Sequence, residues 1–282
     1  MPTKLTNSTQ VRDVQWSPSG DQFLVCSSSA QITNMKLFNR DGIELQEYGR
    51  GDMYIRDLKH TKGHTAALNS LRWHPTEKET FASTSSDSTV RIWSVNEKRK
   101  QKEVIVVKSG AKANRVSVVS SAYNHQGNLL GCGSSDGVVR IYASKGPYSR
   151  PAYEIQAHGA SSEVTSIEFS LLNTNQFVSR GMDDTCKIFD IRNPSLPLAF
   201  ASGLYTSHSE QNAVFSPDEK YVVTGRALTK GEADGALVIL KRSTMEIIDE
   251  LTLCTVVHRS MSKYACSLPN SSNRISPSCT MA

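Results

Sequence analysis

The chain has no run of about 18 apolar residues, so none of its segments is expected to cross a bilayer as a helix. Its opening, MPTKLTNSTQVRDVQW, has no apolar stretch of the kind a secretory signal needs, and the expected compartment is a reducing one. The six cysteines are then expected to be free thiols, and Cys26, Cys132 and Cys186, inside strand-like runs, read as small core residues. Also missing are a glycine-rich phosphate loop, an H-E-x-x-H helix and paired cysteines. Nucleotide and metal chemistry have nothing to stand on, and the expected cofactor and metal are none. Charge of one sign is not in large excess: a net +5 permits an acidic partner without demanding one.

What the chain does have is itself, several times over. FASTSSDSTVRIW (81–93), the segment LGCGSSDGVVRIY ending at Tyr142, and FVSRGMDDTCKIF (177–189) share one pattern. Small and apolar residues lead to an aspartate, then alternating apolar positions end in an aromatic. The aspartates Asp87, Asp136 and Asp183 each stand six residues before Trp93, Tyr142 and Phe189, and a weaker copy sets Asp234 six before Leu240. Upstream of each lies a strand closed by a turn signal: VQWSPSG, LRWHPTE, AYNHQG, IEFSLLN and AVFSPDE. A looser fourth strand follows, as in YEIQA before His158 and EIIDEL at 246–251. Four antiparallel strands in each period of about 40 to 50 residues make one blade of an all-β propeller.

Serine, histidine and aspartate within one short reach also suggest a hydrolase triad. Graded repetition argues otherwise, because a packing element recurs with decay and a catalytic set does not. A propeller hydrolase would need acidic or histidine side chains converging on the channel mouth, for which Asp13, Asp52 and Glu163 are scattered candidates.

The stretch GHTAALNSLRWHPTEKETFASTSSDSTVRIW resembles the WD40 family, with its Gly-His start, its serine four before the aspartate and its terminal tryptophan. The resemblance implies a buried structural tetrad of His64, Ser83, Asp87 and Trp93, with a partial counterpart in His158, Ser179 and Asp183. It also implies a ring of about seven blades. Five are recognisable, at 11–60 (degenerate, with Phe38 in the aromatic slot and Ile32 six before it), 61–108, 109–156, 157–203 and 204–253. The expected object is an incomplete arc with open sheet edges, and 254–282 is expected to be an irregular or disordered tail. The segment FNRDGIELQEYGRGDMYIRDLKHTKGHT further resembles one branch of that family. The branch implies a non-enzymatic protein-interaction scaffold in the nucleus (alternatively the cytoplasm), linked to chromatin and the DNA damage response, without membrane or small-molecule substrate.

Three segments could carry partners. KIFDIR resembles the W-D-x-R box by which some WD40 proteins dock on the adaptor of cullin-4 ubiquitin ligases, with Asp190 and Arg192 in the key places; a plain turn closure is the other reading. The basic cluster Lys98, Arg99, Lys100 and Lys102, followed by Lys108, Lys112 and Arg115, suits nuclear import or phosphates, or is a solvated loop. Cys254, His258, Cys266 and Cys279 carry zinc-type ligands at intervals that match no common site, and disorder is the stronger reading.

Overall fold

The computed structural model describes residues 10–28, 33–55, 57–97, 101–110, 114–228 and 235–253. Among these there is no helix, and five four-stranded antiparallel sheets follow one another along the chain, each in simple sequence order. The first holds β1 Val11–Trp16, β2 Gln22–Ser28, β3 Thr33–Asn39 and β4 Glu44–Tyr48. The second holds β5 Leu68–Trp73, β6 Thr80–Ser85, β7 Thr89–Ser94 and β8 Glu103–Val106. A small hairpin follows, β9 Lys108–Ser109 with β10 Asn114–Arg115. The third sheet is β11 Val118–Tyr123, β12 Leu129–Ser134, β13 Val138–Ala143 and β14 Tyr153–Gln156. The fourth is β15 Val164–Phe169, β16 Gln176–Gly181, β17 Cys186–Asp190 and β18 Ala199–Ala201. The fifth is β19 Ala213–Phe215, β20 Tyr221–Arg226, β21 Gly235–Lys241 and β22 Ile247–Leu253.

Each turn from first to second strand opens on a residue whose side chain accepts a backbone N–H that the turn would otherwise leave unpaired. Ser17 accepts from Gln22, His74 from Glu77, Asn124 from Leu129, Ser170 from Asn173 and Ser216 from Tyr221. Short polar side chains favour turns for this reason. The tighter turn at the recurring aspartate has its own device. The residue that follows is left-handed each time, with φ of 68° at Ser88, 78° at Gly137 and 59° at Asp184, the geometry of a three-residue hairpin loop.

Both faces of the three middle sheets are covered by neighbours. Four apolar clusters join consecutive sheets: Leu24, Leu37 and Tyr48 against Leu71, Phe81 and Trp93; Val90 and Ile105 against Val118 and Leu130; Val139 and Ile155 against Ile167 and Phe177; Val178 and Ile188 against Val222 and Val238. Each fully buried side chain of this size contributes about 1.5–3 kcal/mol. The innermost strands are also linked in series. Asp13 accepts from the Leu71 N–H (2.9 Å), Trp73 Nε1 donates to Gln15 O (3.1 Å), Asn69 donates to Val118 O (2.7 Å), Ser120 to Val164 O (2.9 Å) and Thr165 to Gln211 O (2.8 Å).

Five sheets joined at four interfaces form an open arc. Among the described residues no apolar cluster joins the last sheet to the first; an Arg12–Glu210 ion pair reaches between them. The outward faces of the end sheets stay apolar, with Val14 and Trp16 exposed on one and Val214, Val223, Leu237 and Ile239 half-buried on the other. In the degenerate first sheet Phe23 pairs with Phe38 and stacks on it at 5.2 Å, so the aromatic row survives without the turn aspartate. Ile32, Asp234 and the tail 254–282 lie outside the described residues.

Candidate functional site: buried tetrads and an exposed arginine

In the second sheet the turn between β6 and β7 brings Ser83 and Asp87 beside Trp93, and the chain entering β5 lays His64 over them. Trp93 Nε1 donates to Ser83 Oγ (2.8 Å), Ser83 donates to His64 Nε2 (2.7 Å), and His64 Nδ1 donates to Asp87 Oδ2 (3.0 Å). The carboxylate also accepts from the Thr65 N–H (3.0 Å), the Thr89 N–H (2.9 Å) and the Thr89 hydroxyl (2.6 Å). The side chains of His64 and Asp87 are only 3% and 2% exposed. A substrate has no access to this serine, and its proton is already committed.

The fourth sheet repeats the arrangement with phenylalanine in place of tryptophan. His158 Nε2 accepts from Ser179 Oγ at 3.0 Å and His158 Nδ1 donates to Asp183 at 2.9 Å, with the Thr185 hydroxyl on the same carboxylate at 2.7 Å. Asp183 is 24% exposed, so this copy is wetter than the first. The third sheet lacks the histidine, and there Arg140 takes over. It binds both oxygens of Asp136 (3.2 and 2.8 Å), Ser134 Oγ (3.1 Å) and Glu154 (3.0 Å).

That substitution exposes a position the reading of the sequence passed over. Four residues after each turn aspartate stands a cation: Arg91, Arg140 and Lys187. Arg91 is fully buried and donates to Leu58 O (2.9 Å), Thr61 O (3.0 Å) and the Thr61 hydroxyl (2.5 Å), pinning the segment that delivers His64. Lys187 donates to Ala157 O (2.8 Å), the residue before His158. Recurrence at one spacing was the available signal.

Burial lowers the pKa of both His64 and His158, against the opposing pull of Asp87 and Asp183. Burial alone would raise the two carboxyls, but the histidines and the Thr89 and Thr185 hydroxyls hold them well below the usual range. Both shifts act in the same sense on stability. As pH falls below about 6.5 the unfolded chain's histidines take protons that the folded ones refuse. Below about 4 the unfolded aspartates do the same. Burial pushes the Glu168 carboxyl up to about 7, which acts in the opposite sense between about pH 7 and 4.5. The clear expectation is a steep drop in urea midpoint at fixed m-value below about pH 4, where the aspartate losses stand alone. A midpoint that stays level or rises between about pH 4 and 2.5 would contradict this.

The remaining candidates are separate from the tetrads. Arg192 holds Asp190 through its backbone N–H (3.0 Å), Nε (2.9 Å) and Nη2 (2.6 Å), and the Arg192 hydrogen bonds bring the Asp190 pKa down to about 2 despite some opposing burial. The guanidinium stays 64% exposed, so the pair both closes a turn and presents a fixed cation. Lys102 is drawn out of the basic cluster: its ammonium donates to the Thr80 hydroxyl at 2.9 Å. Lys98, Arg99 and Lys100 lie outside the described residues, as do Lys112 and the tail residues Cys254, His258, Cys266 and Cys279. Lys108 and Arg115 face each other across the β9–β10 hairpin. Asp13 is held in the axial seam and Asp52 in a turn, where it accepts from the Tyr54 N–H at 2.9 Å. No group of His, Cys, Asp or Glu able to hold a metal occurs among the described residues. The string Gly133-Ser134-Ser135-Asp136-Gly137 has the spacing of a hydrolase nucleophile elbow. It forms the strand-to-strand turn between β12 and β13, where such an elbow requires a strand-to-helix turn.

Comparison with known proteins gives three findings. The family described as WD domain, G-beta repeat, matches residues 56–94, the segment that contains the complete tetrad. WD repeat-containing protein 70 of Bos taurus is 36% identical over 244 residues, 86% of this chain and 37% of the relative; the Drosophila melanogaster gastrulation defective protein 1 homolog is 33% identical over 242 residues, 86% and 36%. The chain thus spans a little over a third of the length of these relatives. A chain of the solved mitotic checkpoint complex superposes with a TM-score of 0.66 over 88% of this chain and 66% of its own, at 17% identity, a likeness of fold.

Proposed function

The chain belongs to the WD40-repeat family, and we propose that it acts as a non-enzymatic scaffold that joins other proteins, in the nucleus and in association with chromatin and the DNA damage response. The observation that carries the scaffold reading is the fate of the polar residues. The serine, histidine and aspartate that could do chemistry in the second sheet are sealed in a hydrogen-bond chain, while Arg192 is held rigid and exposed. Rigid blades holding accessible side chains at turns are how propellers bind partners.

The docking partner we assign to Asp190 and Arg192 is the adaptor of a cullin-4 ubiquitin ligase. Arg192→Ala removes the exposed cation together with its two side-chain hydrogen bonds to the buried Asp190, so a loss of about 1–3 kcal/mol in a chain that still folds is expected. Affinity for the purified adaptor is expected to fall by at least about tenfold, as for a central arginine of an interface. Undiminished binding removes this assignment and leaves the scaffold reading in place.

A second reading has support from the β9–β10 hairpin, which sets Lys108 opposite Arg115 outside the blades. Contact of this stretch with nucleic-acid phosphates would weaken linearly with the logarithm of salt concentration. Binding to duplex DNA that is insensitive to salt between 50 and 200 mM, or absent at about 50 mM, rejects it.

A further inference from the structure

At the end of the fourth sheet that carries Arg192, the turn from β15 to β16 reads SLLNTN (170–175) and holds no charged side chain. Leu171 and Leu172 stand out of it, 55% and 75% exposed. Their backbone is held from outside the sheet. Both N–H groups donate to one carboxylate oxygen of Glu219 (3.1 Å from Leu172), while the other oxygen accepts from the Ser170 hydroxyl at 2.6 Å and from Arg242. Glu219 is itself buried, in the first turn of the fifth sheet. Two adjacent leucines displayed on a turn that a buried carboxylate clamps are more than the scattered apolar residues of an ordinary surface.

The backbone at Glu219 carries strain for the sake of this clamp. In the same turn of the first and third sheets, the residue that donates its N–H back to the opening Ser17 or Asn124 is a glycine, Gly20 at φ 74° and Gly127 at φ 72°. The fifth sheet puts Glu219 in that place, bonded back to Ser216 at φ 52°, in the left-handed region that favours glycine. Strain of this kind persists only where the surroundings over-determine it, and it clusters at functional sites. The same network reaches Arg192. Arg242 lies over the Phe215 ring at 5.0 Å and donates to Gln176 Oε1 at 2.8 Å. Gln176 pairs with Asp190 across β16 and β17, and its side chain hydrogen-bonds the carboxylate that Arg192 grips. Arg192 spends Nε and Nη2 on Asp190, and its Nη1 meets no acceptor among the described residues.

We propose that Leu171, Leu172 and Arg192 form one docking surface, with Glu219 as the residue that positions the two leucines. The partner seats a carboxylate on the unengaged side of Arg192 and receives the leucines in an apolar recess beside it. This rests on the assignment of Asp190 and Arg192 as a docking pair, so the occupant is the protein that Arg192 binds.

The test is the affinity of the full 282-residue chain for the purified adaptor, with amide exchange by NMR as a second readout. Leu171→Asp and Leu172→Asp set a charge against an apolar recess and should each weaken binding by at least about tenfold. Glu219→Gly keeps the left-handed backbone and removes the clamp. Exchange at the Leu171 and Leu172 amides should then quicken by about tenfold or more, and binding should weaken by about three- to tenfold. In that background Leu172→Asp should weaken binding less than it does in the wild type, an effect that a merely structural role would not produce. Melting curves show whether each variant is folded, and Leu172→Ser serves in place of an aspartate variant that is not. Binding that falls with Arg192→Ala but survives both aspartate substitutions overturns this proposal and leaves the docking assignment standing. Unchanged exchange at the two amides in Glu219→Gly overturns the positioning role. An adaptor that does not bind the wild type, or that binds Arg192→Ala undiminished, overturns both readings. A wild-type dimer in sedimentation that Leu172→Asp dissociates also overturns the proposal, since the leucines would then meet a second copy of this chain.

Discussion

Asp87→Ala is expected to destabilise the protein by about 3–5 kcal/mol, the range for removing one member of a buried charged pair. The carboxylate accepts from the His64 ring, the Thr65 and Thr89 amides and the Thr89 hydroxyl. Alanine leaves these donors in a site with almost no water to replace it. In a chain of this size the loss corresponds to a melting temperature lower by roughly 6–20 °C. Asp183→Ala is the internal control. It breaks the equivalent contacts of the fourth sheet, but the Asp183 side chain is 24% exposed and water can take over. Its effect should be about half as large. The tetrad is one network, so Asp87→Ala and His64→Ala should combine to less than the sum of the two. Equal losses at Asp87 and Asp183, or strict additivity with His64, would mean that the hydrogen-bond chain is not what holds the sheet corner.

Gly63→Ala is expected to be comparably severe, by a different route. The loop delivering His64 passes directly over the segment 49–51, where the Gly51 N–H donates to His64 O at 2.9 Å. A Cβ on Gly63 would overlap the carbonyl oxygen of Gly49 and lie 3.0 Å from Arg50 C and Gly51 N, all of it backbone that no rotamer change can clear. The first and second sheets would have to part, and His64 would leave Asp87. A loss of about 3 kcal/mol or more in chemical denaturation is the expected result. Gly49, whose Cβ would meet open space, is the neighbouring control and should tolerate alanine. Wild-type stability in Gly63→Ala would show that the backbone approach is looser than described.

The parts of this architecture that a sequence displays are those made within one hairpin. Ser83 and Arg91, and Phe81 and Trp93, are paired across a single turn, so their spacing is set by the loop between them and repeats visibly. The aspartate periodicity, and with it the blade, follows from that local geometry. The partners that come from other blades leave no spacing to read. Asp13 on the Leu71 amide, Glu219 capping the Ser170 turn and Gly63 over Gly51 depend on how sheets are stacked, and each residue alone looks like an ordinary loop residue. The third sheet lies between these cases. Its missing histidine reads as decay, yet Arg140 compensates from a position that carries a cation in three successive repeats. The alternating Leu196, Leu198 and Phe200 resemble an inward-facing strand stripe, and only the burial of Ala199 and Ala201 shows that the run is turned outward.

The turn aspartates bind the sheet corners together, and the corner at Asp87 is the dry one. Hydrogen exchange by NMR at the Trp93 indole N–H, which is buried and donates to Ser83 at the head of the Ser83–His64–Asp87 chain, tests this most directly. The predicted result is exchange as slow as global unfolding at pH 7, becoming faster by orders of magnitude in Asp87→Ala. An indole proton that exchanges within seconds in the native protein would contradict the account, because Ser83 would then be open to solvent and free to react.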